Sequence, residues 1–269
     1  MHSLSAQEVQ RIQDAEVDSF LTLYEAASER QGTMTWESDG VRAVWSPGDD
    51  DPGFSCVINL DDATDPEQTL TEMERAARRA GLAVLGVDGS PGVTERISEE
   101  RLRQLGFEPD YQEHFWGRRL AGGEAPSPPG DGPRVEVIDE AMRETFARVL
   151  NTGYDRPATH ARGHVFAATI GHPNWRHYLA LFDDQPGAAS VLYVSSGVAQ
   201  LFVTTTMPEF RGRGAQTKLI RVRLADAFAA GCDLATSQTV VDNASPRNMA
   251  RHGFERLYDR WIYGKRLRV

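Results

Sequence analysis

Residues 208–217 read Pro208-Glu209-Phe210-Arg211-Gly212-Arg213-Gly214-Ala215-Gln216-Thr217. Glycine lets a backbone approach an anion closely and take up φ > 0. A helix that opens behind such glycines presents unpaired N–H groups and the positive end of its dipole. Arg211 and Arg213 add charge that can pair with phosphate oxygens. These residue types in this order suit the holding of a diphosphate by main-chain atoms. The plainer use of the same run is a Gly-rich turn that only opens a helix.

The loop needs a strand in front of it and a helix behind. An apolar strand over 198–205, running into Thr204, Thr205 and Thr206, supplies the first, and a helix near 215–230 the second. Two nucleotide motifs are excluded. No Gly-Lys-Ser/Thr closes the loop, so it is not a P-loop. The third glycine of a dinucleotide fingerprint is absent, and the preceding strands are joined as hairpins. The remaining elements of this half are a strand at 134–138, helices between 140 and 170, and strands at 176–183 and 188–195. A strand near 234–239, a helix near 245–252 and a strand near 256–266 complete it. Hairpins beside a strand–helix–strand unit predict a mixed sheet. The 188–195 strand alternates only weakly, which predicts cover on both faces.

The chain has 269 residues, 40% of them apolar, and a formal net charge of −10. That length fits two ordinary domains with real cores. The acidic balance argues against a general nucleic-acid binder, although Arg211, Arg213, Lys218, Arg221 and Arg223 form a local basic cluster. Cys56 and Cys232 lie among apolar residues and suggest core thiols, with neither a disulfide framework nor a metal site. Val9, Ile12, Val17, Phe20, Leu21 and Tyr24 fit one face of an amphipathic helix, so the N-terminus does not read as a signal peptide. No stretch approaches the ~20 apolar residues of a membrane span. The expectation is a cytoplasmic protein with no membrane partner.

Residues 121–133 are rich in Pro and Gly and read as a linker between 1–120 and 134–269. The two sides repeat one plan. Gly106-Phe107-Glu108 precedes Trp116-Gly117-Arg118-Arg119-Leu120, and Gly253-Phe254-Glu255 precedes Tyr263-Gly264-Lys265-Arg266-Leu267 at the same spacing. Ala76, Ala77 and Ala80 before Gly81 match Ala227, Ala229 and Ala230 before Gly231. Several matches in one order imply a duplicated unit. The first copy has Thr64-Asp65-Pro66-Glu67 but no Arg-Gly-Arg-Gly insert. It is expected to be a structural or substrate-shaping half without catalysis of its own.

The second half resembles the GNAT superfamily of acyl-CoA-dependent N-acetyltransferases over about residues 134–266. The resemblance rests on Arg211 and Gly214 of the loop, on Pro208-Glu209-Phe210 before it, on Asn243-Ala244-Ser245-Pro246-Arg247-Asn248, and on Gly253-Phe254. Gln216 stands where the family has a small residue. The first half resembles a degenerate GNAT unit. The resemblance implies an α+β fold, layered αβα: two tandem units, each a mixed, mostly antiparallel central sheet flanked by helices. It also implies that acetyl-CoA is the co-substrate, with no metal. Its diphosphate would meet the amides of Gly212, Arg213, Gly214, Ala215, Gln216 and Thr217, with Arg211 and Arg213 as charge partners. Its pantetheine would run beside the strand ending at Thr204, Thr205 and Thr206, near Asn243 and Asn248.

The family often has a glutamate base in the middle of that strand and a tyrosine acid one turn before the Gly-Phe stop. Gln200 and Met249 occupy those positions here, and neither carries a proton at neutral pH. Tyr258 and Ser245 are the substitute catalytic candidates. Each has a commoner use, as a half-buried strand tyrosine and as a helix cap. His160 or His164 is a possible base, although a solvated or core-bonded histidine is commoner. Trp175, His177 and Tyr154 are candidates for the acceptor wall or for the core. The lead expectation is acetyl transfer to a primary amine of a small molecule, by direct attack in a ternary complex. The alternative is a non-catalytic acyl-CoA-binding sensor or scaffold. A fused second copy can replace a dimer partner, so a monomer or loose homodimer is expected. No loop spells out the acceptor amine or the acyl-chain length.

Overall fold

The protein is described by a computed structural model covering residues 3–120, 132–241 and 245–267. Most of the expected linker and Asn243 therefore lie outside the described residues. Ser5 and Glu8 cap α1 (Ala6–Gln31) reciprocally, and Gly32 ends it at φ 65°, a left-handed stop that glycine takes without strain. The hairpin β1 (Met34–Ser38) and β2 (Val41–Trp45) comes next, then a 3₁₀ turn at Pro52–Phe54 and β3 (Cys56–Ile58). α2 (Pro66–Arg79), β4 (Val84–Gly89), the short α3 (Pro91–Arg96) and α4 (Glu99–Gln104), and β5 (Glu108–Arg119) complete the first half.

The second half runs β6 (Arg134–Val137), α5 (Arg143–Gly153), α6 (Ala161–Ala167), β7 (Trp175–Phe182), β8 (Gln185–Ser195) and β9 (Val198–Thr206). It ends with α7 (Ala215–Ala229), β10 (Leu234–Val240), α8 (Ser245–Arg251) and β11 (Glu255–Arg266). These bounds lie within a few residues of the sequence-based ones, because turn glycines and apolar runs punctuate this half clearly.

Among the described residues eleven strands form one sheet, in the order β1-β2-β3-β4-β11-β5-β10-β9-β8-β7-β6. β3–β4 and β9–β10 are the parallel neighbours, and the other pairs are antiparallel. The last strand of each half lies against the other half. β11 pairs with β4 from Trp261↔Gly89 to Arg266↔Val84, and β5 pairs with β10 from Leu234↔Arg119 to Val240↔Glu113. The two exchanged strands also pair with each other, from Glu255↔Gly117 to Gly264↔Glu108. A pseudo-twofold relation thus passes between them and explains the repeated sequence plan.

Side-chain alternation assigns the layers. Along β8, Ala189, Val191 and Tyr193 pack with α1, α5 and α6, whereas Ala188 and Leu192 pack with α7 and α8. The weak alternation of this strand reflects apolar cover on both faces. Phe146, Phe166 and Leu179 anchor one layer, and Leu219, Ile220 and Leu224 the other. Each such side chain, fully buried, contributes roughly 1.5–3 kcal/mol. In the first half, Leu70, Met73, Val87, Phe107 and Tyr263 build a third cluster under α2.

Between β9 and β10 the sheet is interrupted. The two strands pair at Val198↔Leu234, Ala199↔Ala235 and Gln200↔Thr236, and at no residue beyond. Past that point they separate. On its other side β9 carries a register shift against β8, between Ser190↔Thr204 and Val191↔Phe202. Such a bulge bends its strand and raises the local twist. Arg223 of α7 fills the space behind it, donating to Val191 O (3.0 Å), Phe202 O (2.7 Å) and Thr204 Oγ1 (2.6 Å). Arg223 is fully buried, so it does not belong to the expected surface basic cluster.

Candidate functional site

The start of α7 is open. Gly212 and Gly214 take φ values of 77° and 81°, and among the described residues no side chain caps the helix at Gly214. The first bond of its ladder is Lys218 N–H to Gly214 O at 3.1 Å, so the amides of Ala215, Gln216 and Thr217 precede the ladder and point outward. The matching helix of the first half is closed. There the Asp65 carboxylate accepts from Glu67 N and Gln68 N, both at 3.1 Å. That helix start already holds a negative charge of its own, which disfavours a second anion.

The loop arginines are committed to neighbours. Arg211 donates to Thr206 O (3.2 Å), Gly153 O (3.1 Å) and the Asp155 carboxylate (3.1 Å), fastening the end of β9 to the end of α5. Arg213 lies 4.6 Å over the Phe182 ring and 3.7 Å from Asp183. Gln216, Ser245 and Asn248 are brought together. Gln216 Nε2 donates to Ser245 Oγ at 3.0 Å, and Asn248 Nδ2 donates to Gln216 Oε1 at 2.5 Å. This chain ties the openings of α7 and α8 to each other.

A cavity of about 320 Å³ occupies the gap between β9 and β10. Gln216, Ser245 and Met249 line it from the α7 and α8 side. Phe20, Phe54, Phe166 and Arg162 line it from the side of α1 and α6. It therefore passes through the sheet, with Leu201–Thr204 on one flank and Ser237–Val240 on the other. Thr204 is on the wall. Thr205 is buried, and the carbonyl of Thr206 accepts from Arg211.

The wall on the α1 side is charged. Arg162 is held by both oxygens of Asp49 (2.8 and 2.9 Å) and by Asp51 (2.9 Å). Arg260, only 5% exposed, is bonded to Glu16 (2.8 Å), Asp88 (2.5 Å) and Glu113 (3.0 Å). Burial pushes the carboxyls of Glu16 and Glu113 above the usual carboxylate range, against the pull of Arg260. The guanidinium itself is pushed well up, because the attraction of the three acids together outweighs its own burial. One cation cannot neutralise three acids, and the repulsion from neighbouring carboxylates adds to burial in raising Glu16 and Glu113.

Asp88 and Arg260 also belong to a second cavity of about 320 Å³, lined by Gln13, Glu16 and Tyr258 among others. Tyr258 faces this second space and not the first. Its ring stacks on Phe115 at 4.7 Å, and its hydroxyl accepts from Gln13 at 3.2 Å. Of the two substitute catalytic candidates, Ser245 lines the through-sheet cavity and Tyr258 does not, because β11 turns its side chain toward α1.

No protein-family model matches the chain, and no curated protein matches it by sequence. Similarity is found among solved structures. A GCN5-related N-acetyltransferase from Kribbella flavida is 14% identical, with 95% of this chain and 94% of that one covered at a TM-score of 0.64. One from Sphaerobacter thermophilus is 12% identical, with 85% and 81% covered at a TM-score of 0.60. A tandem GNAT protein from the clavulanic acid biosynthesis pathway is 16% identical, with 93% and 94% covered at a TM-score of 0.57. The chain has the tandem GNAT fold. Among its described residues no helix is long and apolar enough to cross a membrane.

Within this GNAT fold, Met249 lines the through-sheet cavity, but Gln200 does not. Gln200 is buried against α1, where its Oε1 accepts from Ser19 at 2.9 Å. Of the aromatic candidates for the acceptor wall, Tyr154 is there. Trp175 and His177 are core residues, and His177 Nε2 meets Phe166 O at 2.9 Å. His160 caps α6, and His164 lies 3.9 Å from Glu144. Asp49, Asp50 and His160 come within 4.8 Å of one another, but Arg162 and Arg156 already bond them. Sequence reasoning missed Asp51, Asp88 and Glu113, the first-half acids of the wall. No local pattern signals them: Glu113 reaches the wall only through the strand exchange that carries β5 against the second half, and Asp51 and Asp88 lie in the loop before Pro52 and on β4.

Proposed function

We propose that the chain is an acyl-CoA-dependent N-acetyltransferase that moves an acetyl group from acetyl-CoA to a primary amine of a small molecule, by direct attack in a ternary complex. The observation that carries this reading is the gap between β9 and β10. It lies beside the uncapped start of α7 and opens on the other face toward an acid-rich wall. The amides of Ala215, Gln216 and Thr217 would hold the diphosphate. The edge of β9 freed by the separation, Leu201–Thr206, would pair with the pantetheine arm and bring the thioester into the gap, where a backbone N–H can polarise its carbonyl. Gln216 and Ser245 line the cavity on that side, and Asn248 is bonded to Gln216. From the opposite side, Asp51, Asp88 and Glu113 outnumber Arg162 and Arg260 on the wall, a balance that draws in a cationic amine.

The non-catalytic acyl-CoA binder is retained as a second reading, favoured by Gln200 and Met249 at the family's usual proton-carrying positions. Chemistry separates the two. Acetyl-CoA should raise the melting temperature under either, and only the enzyme should release thiol from acetyl-CoA in the presence of primary amines. Gly214→Val tests the cradle. Nothing lies within 4 Å of a Cβ placed at Gly214, so the folded chain has room for the side chain, while a residue with φ near 81° costs about 1–2 kcal/mol when it is not glycine. The variant should fold with that modest loss and show no acetyl-CoA-dependent thermal shift. A full shift in Gly214→Val would mean that the cofactor does not bind at this helix start.

A further inference from the structure

Five carboxyl groups surround the charged wall of the through-sheet cavity, and their oxygens are not equally occupied: Asp49 gives both of its oxygens to Arg162 (2.8 and 2.9 Å). Asp51 uses both: Oδ1 accepts from Gly53 N at 3.0 Å and Oδ2 from Arg162 at 2.9 Å. Asp88 uses both: Oδ1 accepts from Ser90 N at 2.9 Å and Oδ2 from Arg260 at 2.5 Å. Glu16 gives both oxygens to Arg260 (2.8 and 3.1 Å) and lines the second cavity instead. Glu113 accepts from Arg260 Nε (3.1 Å) and Nη2 (3.0 Å) through Oε2 alone. Its Oε1 has no partner among the described residues. Of the carboxylate oxygens on this wall, Oε1 of Glu113 is the one left for a ligand.

Glu113 is also well placed along the chain. It sits on β5 opposite Val240, at the end of β10 that has parted from β9, and although β10 stands between β5 and the gap, Glu113 lines the cavity. Its partners Glu16 and Arg260 lie toward α1, the face on which the acceptor wall is built. Oε2, pinned twice by one guanidinium, fixes the carboxyl plane, so that Oε1 is presented rather than free to turn away.

We propose that Glu113 is the general base of the transfer, supplied by the half of the chain that lacks a phosphate loop. This rests on the acetyltransferase reading above and adds the proton carrier missing from that reading. The amine enters as an ammonium ion, and Oε1 takes one of its protons. The nitrogen lone pair then attacks the thioester carbonyl carbon, forming the C–N bond. The tetrahedral intermediate collapses with cleavage of the C–S bond. The second nitrogen proton leaves with the thiolate as the free thiol, and protonated Glu113 returns its proton to solvent. Atoms and charge balance without any further reactant. The first half was expected to shape the site without taking part in the chemistry. Under this proposal it contributes a catalytic residue, and the strand exchange is what delivers it.

The test uses the full chain, acetyl-CoA and a panel of alkyl, aromatic and diamino primary amines, reading thiol release and thermal shift together. Glu113→Gln keeps an acceptor for Arg260 but cannot take a proton. It should lose 10²–10⁴-fold in kcat while retaining the acetyl-CoA thermal shift, and Tyr258→Phe should keep wild-type turnover. Glu113→Gln within threefold of wild type would overturn the proposal. If Glu113→Gln also loses the shift, Glu113→Asp decides. A tenfold or greater fall in kcat with an unchanged KM for acetyl-CoA supports the base, and an unchanged kcat overturns it. A wild-type protein that binds acetyl-CoA but turns over no amine removes the enzyme reading, and the base with it. An active wild type indifferent to Glu113 removes the base alone.

Discussion

The buried basic side chains among the described residues fall into two physical classes. Among the described residues Arg223 meets no carboxylate; carbonyl oxygens and one hydroxyl surround it, and burial lowers its pKa to about 10. His177 is the second such case. It is 1% exposed, and burial is the main cause of a pKa lowered to about 4. Its unfolded value is near 6.5, so between pH 6.5 and 4 the unfolded chain binds the extra proton. The penalty on folding therefore grows as pH falls through that window and is absent above it. Across the whole window it amounts to about 3 kcal/mol. Chemical denaturation of His177→Gln beside wild type should show a shallower loss of stability from pH 6.5 to 4; identical slopes would contradict the assignment. Arg260 and Arg162 form the other class, paired charges that line a site. None of this sorting is readable locally. Arg223 sits among Arg211, Arg213, Lys218 and Arg221 and looks like one more surface cation. Glu113 lies in Asp110-Tyr111-Gln112-Glu113-His114, which reads as an exposed polar strand. Tyr258 was legible as a strand residue but not as to the face it takes, because the bulge between Arg256 and Tyr258 resets the alternation.

At the level of elements the two duplicated helices diverge in how they begin. α7 opens on Gly214 with no cap, and α2 opens on Asp65 with one. That contrast was visible in the sequence, since Asp65-Pro66 is an N-cap followed by a first-turn proline, whereas Gly214-Ala215 offers no capping side chain. Asp65→Ala should cost about 1 kcal/mol of stability. Because the first half is not the proposed cofactor half, the acetyl-CoA thermal shift should be unchanged in that variant; loss of the shift would place an anion site at α2 as well. The strands and helices of the second half were legible for a related reason. Gly231 and Gly253 end helices at φ 79° and 75°, a conformation glycine adopts readily and other residues resist. The separation of β9 from β10 was not legible, since Ser237-Gln238-Thr239-Val240 would suit a paired strand equally well.

Across the whole molecule, the exchange of β5 and β11 makes each half depend on the other. A fragment of residues 134–269 has β10 without its β5 neighbour, and a fragment of residues 1–120 has β4 without β11. Both would expose unpaired strand edges and apolar surface. Expressed separately, each should be poorly soluble and lack a cooperative unfolding transition. Co-expressed, they should be recovered as a one-to-one complex that regains the acetyl-CoA shift. A soluble, cooperatively folding 134–269 fragment would show that the exchange is dispensable. The duplication itself was plain in the repeated Gly-Phe and aromatic-Gly-basic runs. The exchange was hidden, because two like strands present the same residues whichever copy receives them. It also sets a timetable for biosynthesis. Val84 of β4 must await Arg266 as its partner, so the first half emerges from the ribosome well before its sheet can close. Until Arg266 has been synthesised, the nascent chain carries an open β4 edge, and a slow ribosome would lengthen the interval in which that edge meets another copy.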